Sequence, residues 1–499
     1  MKARGLASLC AWALVTALGG VRLAAQPDFL RNATPVAPAP ADPAIAQALK
    51  TIDAKGTEQI IDKLVSFGTR NALTSMDADL PPGQGVEAAA DWIEAQFQQI
   101  AKDCGGCLEV KRDTFVADPA SGGPWARRVL KPTRMTNIYA VMRGSDPTQA
   151  GRMVLVTGHY DSINSNVFKS WADTSGAAPG ANDDASGVAV SLECARALSK
   201  LHLSATIVFV AVDGEEEGLI GSAHLAHLAR EQGWQLEAVL NNDIVGGNTT
   251  PGDTLQLKDR VRVFSEGVPQ AATPDDARRI RAYGEENDSP SRELARAIAD
   301  TARSYFPQPG RNEKPGAFEA ALQFRPDRYG RGGDHSSFNH EGFAAVRFTE
   351  WREDYNHQHQ NIVRPPAGSS DPVKGDLPEF VDFGYVAKVA RLNAATLATL
   401  AMAPGEPQKV TLDTEKQEPS STLKWDPPAG AGANVHYELL WRETAAPDWQ
   451  FVQAVQPAAG SGSPVTVTVP ISKDNVVFGV RAVDAAGHRG LAVVAQSSR

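Results

Sequence analysis

The chain has 499 residues, with 49 basic against 59 acidic side chains and a formal charge of −10. Hydrophobic residues at 42% and charged residues at 22% are globular proportions and exclude wholesale disorder. The acidic balance argues against a polyanion-binding surface over the whole molecule, so no nucleic-acid partner is expected. At roughly 100–200 residues per domain, the length allows two to four domains.

Lys2 and Arg4 precede an apolar run from Leu6 to Leu18, followed by Leu23-Ala24-Ala25. This is the pattern of a secretory signal, with cleavage expected after Ala25. The run is short for a bilayer and Arg22 interrupts it, and no later stretch approaches the ~18 apolar residues of a membrane helix. Residues 1–25 therefore read as a signal peptide of a protein exported to the periplasm or the medium, without a membrane span. Residues 26–44, rich in Pro and Ala, read as an extended linker.

Order is expected from Ala44, with helices over Ala44–Leu49, Glu58–Phe67 and Gly85–Ile100. The last carries Ala89, Trp92, Ile93, Phe97 and Ile100 at helical spacing. Cys104-Gly105-Gly106-Cys107 reads as a tight local disulfide in an oxidising compartment. Strand-like runs follow at Thr136–Met142, Met153–Thr157, Thr206–Val212, Ala238–Leu240 and Ala344–Phe348. Helical patterns alternate with them at Gly187–Leu201, Ser222–Glu231 and Ser291–Ser304, and Cys194 falls on the first as a small buried hydrophobe. The alternation predicts an α/β fold: a doubly wound, mainly parallel sheet with helices on both faces, over residues 45–403. Gly246–Tyr283, with a strand-like Val261–Phe264, reads as an insertion near one sheet edge, and a last helix spans Phe380–Ala401. Beyond Pro404 the period changes to two, at Thr422–Trp425, Tyr437–Trp441, Pro464–Val469 and Val476–Val483. A β-sandwich is expected over residues 404–499. Trp425, Tyr437 and the closing Phe478–Asp484 resemble a fibronectin type III domain, which would serve as a surface-binding module or as a cap on the rest.

The strand-like runs end in chemistry. Met153–Thr157 leads into Gly158-His159-Tyr160-Asp161-Ser162, and Thr206–Val212 into Asp213-Gly214-Glu215-Glu216-Glu217-Gly218. Ala238–Leu240 leads into Asn241-Asn242-Asp243, and Ala344–Phe348 into Glu350 and Tyr355-Asn356-His357-Gln358-His359. A loop Asn182-Asp183-Asp184-Ala185-Ser186-Gly187 opens a helix between the first two. Parallel sheets bind ligands outside the carboxyl ends of their strands, so these groups are expected to converge. Singly, each has an ordinary reading: His159 as a core histidine, Asp183 as a helix cap, Asp243 as a turn residue. Together, imidazoles and carboxylates without thiolate suit zinc, manganese or cobalt. Asp183, Glu216 and Asp243 carry three negative charges, which two divalent ions and a bridging hydroxide balance. A single zinc would be overcharged.

The segments Gly158–Ser162, Pro179–Gly187 and Glu215-Glu216-Glu217-Gly218-Leu219-Ile220-Gly221-Ser222 resemble the co-catalytic dizinc aminopeptidases. Those are the bacterial leucyl aminopeptidase and aminopeptidase S types, with glutamate carboxypeptidase and glutaminyl cyclase as relatives. The resemblance spans roughly residues 55–403. It implies two zinc ions, replaceable by manganese or cobalt, with Asp183 bridging both. His159 and Asp243 would complete one site, and Glu216 and a late histidine the other. Asp161 would orient His159, and Glu215 would be the general base. The late histidine departs from the family's pattern, since His357 stands four residues before Asn361 rather than before an acid. Spacing places His357 ahead of His359, with both in reach. The loop around Asp334-His335 resembles one near the family's substrate, so His335 is expected beside the ligands rather than among them. Tyr355 could reach a transition-state oxyanion or simply pack. The implied activity is removal of N-terminal residues from peptides. The alternatives are a carboxypeptidase, a glutaminyl cyclase, or an inactive exported binding protein.

Overall fold

The computed structural model describes residues 26–31, 33–77, 79–310, 314–430, 434–456 and 464–498; the expected signal segment lies outside them. Helices begin where a side chain can accept the unpaired N–H groups of the first turn. Asp42, Asp53, Asp184, Thr273, Ser289 and Asp382 each do so. After a two-residue strand β1 (Thr34–Pro35), helices α1 (Pro43–Leu49), α2 (Ala54–Val65) and α3 (Val86–Asp103) lead into β2 (Glu109–Ala117), β3 (Thr133–Met142) and β4 (Arg152–His159). There follow α4 (Ala185–Leu198), β5 (Thr206–Val212), α5 (Ile220–Glu231), β6 (Gln235–Asn242), β7 (Arg260–Ser265) and α6 (Pro274–Tyr283). Next come α7 (Pro290–Tyr305), β8 (Glu319–Gln323), α8 (His335–His340), β9 (Ala345–Thr349) and α9 (Phe383–Met402).

Strands β2-β3-β5-β4-β6-β9-β7-β8 form one sheet in that order. The central β5-β4-β6-β9 run parallel, as do β7 and β8, while β2–β3, β3–β5 and β7–β9 pair antiparallel. Every residue of β5 is buried, as a strand covered on both faces requires. Successive residues of β4 show the alternation. Val154 and Val156 pack in a core with α4 and α9, and Leu155 packs in another with Leu225 and Ala226 of α5. The doubly wound reading therefore holds. Periodicity missed β2, an edge strand whose exposed positions alternate with half-buried Val110 and Phe115, and it missed β8, α6 and α8. The supposed insertion contributes β7 to the body of the sheet, between β9 and β8.

The C-terminal part holds β10 (Gln408–Leu412), β11 (Ser421–Asp426), β12 (His436–Glu443), β13 (Phe451–Val455), β14 (Val465–Val469), β15 (Val476–Val483), β16 (Val493–Val494) and β17 (Gln496–Ser497). They form two sheets, β1-β13-β12-β15-β16 and β14-β11-β10-β17, packed over Trp425, Tyr437, Leu439 and Val480. The Pro/Ala segment is not a free extended linker: Asp28–Leu30 form a 3-10 turn and Pro43 already opens α1. Thr34 and Pro35 pair with β13, Trp441 Nε1 donates to the Phe29 carbonyl at 3.0 Å, and Asp28 accepts from Ser472 N at 2.6 Å. The sandwich is tied to the α/β body by an Arg442–Asp288 ion pair, by Trp449 Nε1 donating to Glu293 at 2.9 Å, and by Arg481 on Asp300 at 3.2 Å. Cys104 and Cys107 form a disulfide, and Cys194 is a buried thiol. Among the described residues no helix is long and apolar enough to cross a membrane.

Candidate metal centre

Parallel β4, β5, β6 and β9 deliver their carboxyl ends to one edge of the sheet. His159 closes β4, Asp213–Glu217 follow β5, Asp243 follows β6, and Glu350 follows β9. Two glycines let these ends approach. A Cβ on Gly158 would stand 2.5 Å from the Gly187 carbonyl carbon, and one on Gly187 would stand 2.2 Å from Asn242 O. Backbone contact at those points brings the first turn of α4 against β4 and β6, with the Asp183 carboxylate beside His159.

Two groups of donors result, and they share Asp183. In one, His159 Nε2 lies 3.2 Å from Asp183 Oδ1 and 4.0 Å from Asp243 Oδ1. In the other, His359 Nε2 lies 2.8 Å from Asp183 Oδ2 and 2.8 Å from Glu216 Oε1. Within each group the donor atoms all fall within 4.8 Å of one another. His159 Nε2, His359 Nε2 and Glu216 Oε1 are buried without a hydrogen bond. Buried polar atoms gathered in this way are costly unless a cation satisfies them. Imidazole and carboxylate are donors that zinc accepts, so the residues fit two divalent ions.

The electrostatics agree. Burial alone would lower the His159 imidazole, but Asp161, Asp183 and Asp184 hold it well above its ordinary value. Burial would lower His359 too, and Glu216 and Asp183 raise it likewise. Burial pushes Glu215 well above the usual carboxylate range, and the charges of Asp243, Glu216 and Asp334 add to this. The pocket calls for positive charge.

The remaining side chains hold these donors in place. Asp161 lies with Oδ1 3.4 Å from His159 Nδ1, and its carboxylate also accepts the N–H groups of Glu215 at 3.2 Å and Glu216 at 3.1 Å. It thus braces both acids after β5. Arg347, buried on β9, meets Asp243 Oδ1 at 2.7 Å. The helix cap is Asp184 rather than Asp183: its carboxylate accepts from Gly187 N at 2.9 Å and from His159 N at 3.1 Å. Asp183 is left free to face the centre. Asp376 Oδ1 and Oδ2 accept from Asn182 N and Asp183 N, each at 2.7 Å. Arg70, fully buried, donates to the Tyr160, Leu64, Pro179 and Gly180 carbonyls.

His357 does not join the centre. Its ring stacks on Phe380 at 3.6 Å, and Nδ1 meets Asn248 Oδ1 at 2.9 Å. His359 instead adopts a left-handed backbone, with φ 52°, and turns its ring inward. The preference that spacing gave to His357 is thereby reversed. His335 is in neither group, and its Nε2 lies 2.9 Å from Pro326 O. Asp334 is buried, with neither carboxylate oxygen hydrogen-bonded. Tyr355 is 63% exposed and its ring faces Arg331. Sequence reasoning overlooked Arg70, Asp184, Arg347 and Asp376. Of these only Asp184, directly before Ala-Ser-Gly at a helix start, carried a local signal.

Residues 137–369 match peptidase family M28. A chain of Pyricularia oryzae described as "Probable zinc metalloprotease" is 42% identical over 91% of this chain and 84% of its own length. Another so described, from Leptosphaeria maculans, is 40% identical over 90% of this chain and 95% of its own. Among solved structures, the Legionella pneumophila LapA aminopeptidase is similar over 72% of this chain and 73% of that one, at 20% identity and TM-score 0.46. Identity at this level over nearly the whole of its curated relatives establishes that the chain belongs to peptidase family M28, as a zinc metalloprotease with two candidate buried metal sites.

Proposed function

We propose that the protein is an exported two-zinc aminopeptidase that hydrolyses the first peptide bond of peptides with a free N-terminus. The observation that carries the two-metal reading is the pair of donor groups sharing Asp183, each with an imidazole nitrogen buried and without a hydrogen bond. His159, Asp183 and Asp243 would hold one ion, and Asp183, Glu216 and His359 the other. When bound, the pair supplies Lewis acidity at the scissile carbonyl and lowers the pKa of a water.

The protein's own residues do the rest. Glu215, which follows β5 directly before the ligand Glu216, takes a proton from the attacking water and returns it to the departing amine. Asp161 fixes the Glu215 and Glu216 backbone through their N–H groups, which aims the two carboxylates differently, one as base and one as ligand.

Export is supported by the basic and apolar character of residues 1–25 and by the Cys104–Cys107 disulfide, a bond of oxidising compartments. Release of the N-terminal residue is to be measured on peptides with free and with acetylated N-termini, before chelation, after it, and after zinc is restored. Release from free peptides alone, lost and regained with zinc, is expected. Release of the C-terminal residue instead, or cyclisation of N-terminal glutamine, would replace the aminopeptidase with one of its relatives.

A further inference from the structure

Asp183 is the residue on which both donor groups depend, yet it sits on a loop. The segment from Pro179 to Asp184 lies between regular elements and is buried throughout. Two side chains from outside the strand-end loops grip it.

Arg70 follows α2, and its guanidinium donates Nε to Tyr160 O at 2.5 Å, Nη1 to Pro179 O at 2.6 Å and Nη2 to Gly180 O at 2.8 Å. Tyr160 directly follows His159. One fork therefore ties the strand end carrying His159 to the loop carrying Asp183, through main-chain oxygens alone. Asp376 precedes α9, and its two carboxylate oxygens take the N–H groups of Asn182 and Asp183, both at 2.7 Å. Asn182 is held further, since its Oδ1 accepts from Gly246 N at 2.6 Å and its Nδ2 donates to Glu350 at 3.3 Å. Charge-assisted bonds of this length are the strong ones, and burying a cation and an anion costs more than a neutral loop would require.

We propose that Arg70 and Asp376 are positioning residues that hold the Asp183 loop in its ligating shape before any metal arrives. The inference rests on Asp183 being the shared ligand. Neither residue is among the donors, and both act through the backbone at Asp183 and just before it. Since Asp183 belongs to both groups, loosening its loop weakens both ions at once.

The test has two arms. In zinc-free wild-type protein, hydrogen exchange at the Asn182 and Asp183 amides is compared with exchange at the centre of β4. Protection of the same order is expected, and exchange at the rate of an open loop would overturn the proposal. This arm needs no variant, so it stands even if substitutions prevent folding. In the second arm, Asp376→Asn and Arg70→Lys are titrated with zinc against a chromophoric chelator, with folding checked in the zinc-free state. Asn offers one oxygen and turns its amide NH₂ toward the other N–H, and Lys lacks the planar fork that reaches four separate carbonyls. Zinc affinity is expected to fall about 10–100-fold at both sites, the range for outer partners of metal ligands. Affinity within about 2-fold of wild type in folded variants would refute the positioning role. If wild-type protein itself takes up no zinc, the metal reading fails, while the exchange arm still measures the clamp.

Discussion

Replacing His359 and His357 separately by Ala distinguishes a ligand from a packing residue two positions away. The His357 ring stacks on Phe380 at 3.6 Å and bonds Asn248 at 2.9 Å, and it is 3% exposed. An aromatic stack contributes about 0.5–1.5 kcal/mol and a hydrogen bond about the same, so His357→Ala is expected to cost about 1–3 kcal/mol of stability. Its zinc content should not change. The His359 side chain is 22% exposed, and its near neighbours are Asp183, Glu216 and the Phe168 ring at 5.8 Å. Removing it relieves no packing of consequence but deletes one of three donors. Outer partners alone are worth about 10–100-fold in metal affinity, so loss of a direct donor should exceed about 100-fold at that site. Zinc per chain, measured by native mass spectrometry, and the unfolding temperature of the zinc-free protein are the two readouts. Loss of zinc from the His357 variant, with full retention in the His359 variant, would refute the assignment.

Glu215→Gln should leave zinc bound and lower kcat about 10²–10⁴-fold, the usual contribution of a general base; wild-type kcat would remove Glu215 from that role. Arg442→Ala leaves buried Asp288 without its ion-pair partner, which should cost about 3–5 kcal/mol in denaturant unfolding. An unchanged unfolding curve would show that the sandwich is not held through that pair. The Asp484 hydrogen bond raises the His488 imidazole above its ordinary 6.5, against burial, and Asp42 adds to this. A raised folded-state pKa means that this stabilisation is complete below 6.5 and is lost as pH rises through the folded value. His488→Gln should therefore flatten the loss of thermal stability above pH 6.5, and identical pH profiles for variant and wild type would contradict it.

The alternation of apolar runs and helical patterns was enough for the α/β core, because β4, β5 and β6 are buried and apolar by necessity. The charged edge strand β2 escaped, since its pairing with β3 is a property of the sheet rather than of its own pattern. The same division holds at the site. His159, Asp183, Glu216 and Asp243 stand at strand ends or helix starts, where local sequence says which way the chain must turn. His359 stands on an irregular loop, and only its left-handed backbone brings it inward in place of His357. Arg70 and Asp376 reach the centre through hydrogen bonds to main-chain atoms 90 or more residues away, a relation with no trace in spacing. The docking of Phe29 and Thr34 on the sandwich depends on a partner some 400 residues later, which the Pro/Ala composition of residues 26–44 does not signal.

The central claim is that two ions share Asp183. Anomalous scattering from crystals of the zinc-loaded protein, collected on both sides of the zinc absorption edge, tests it directly. Two peaks are expected about 3.5–4 Å apart, one beside His159 and Asp243 and one beside Glu216 and His359, with the Asp183 carboxylate between them. A single peak, or a pair in which Asp183 contacts neither ion, would contradict the account.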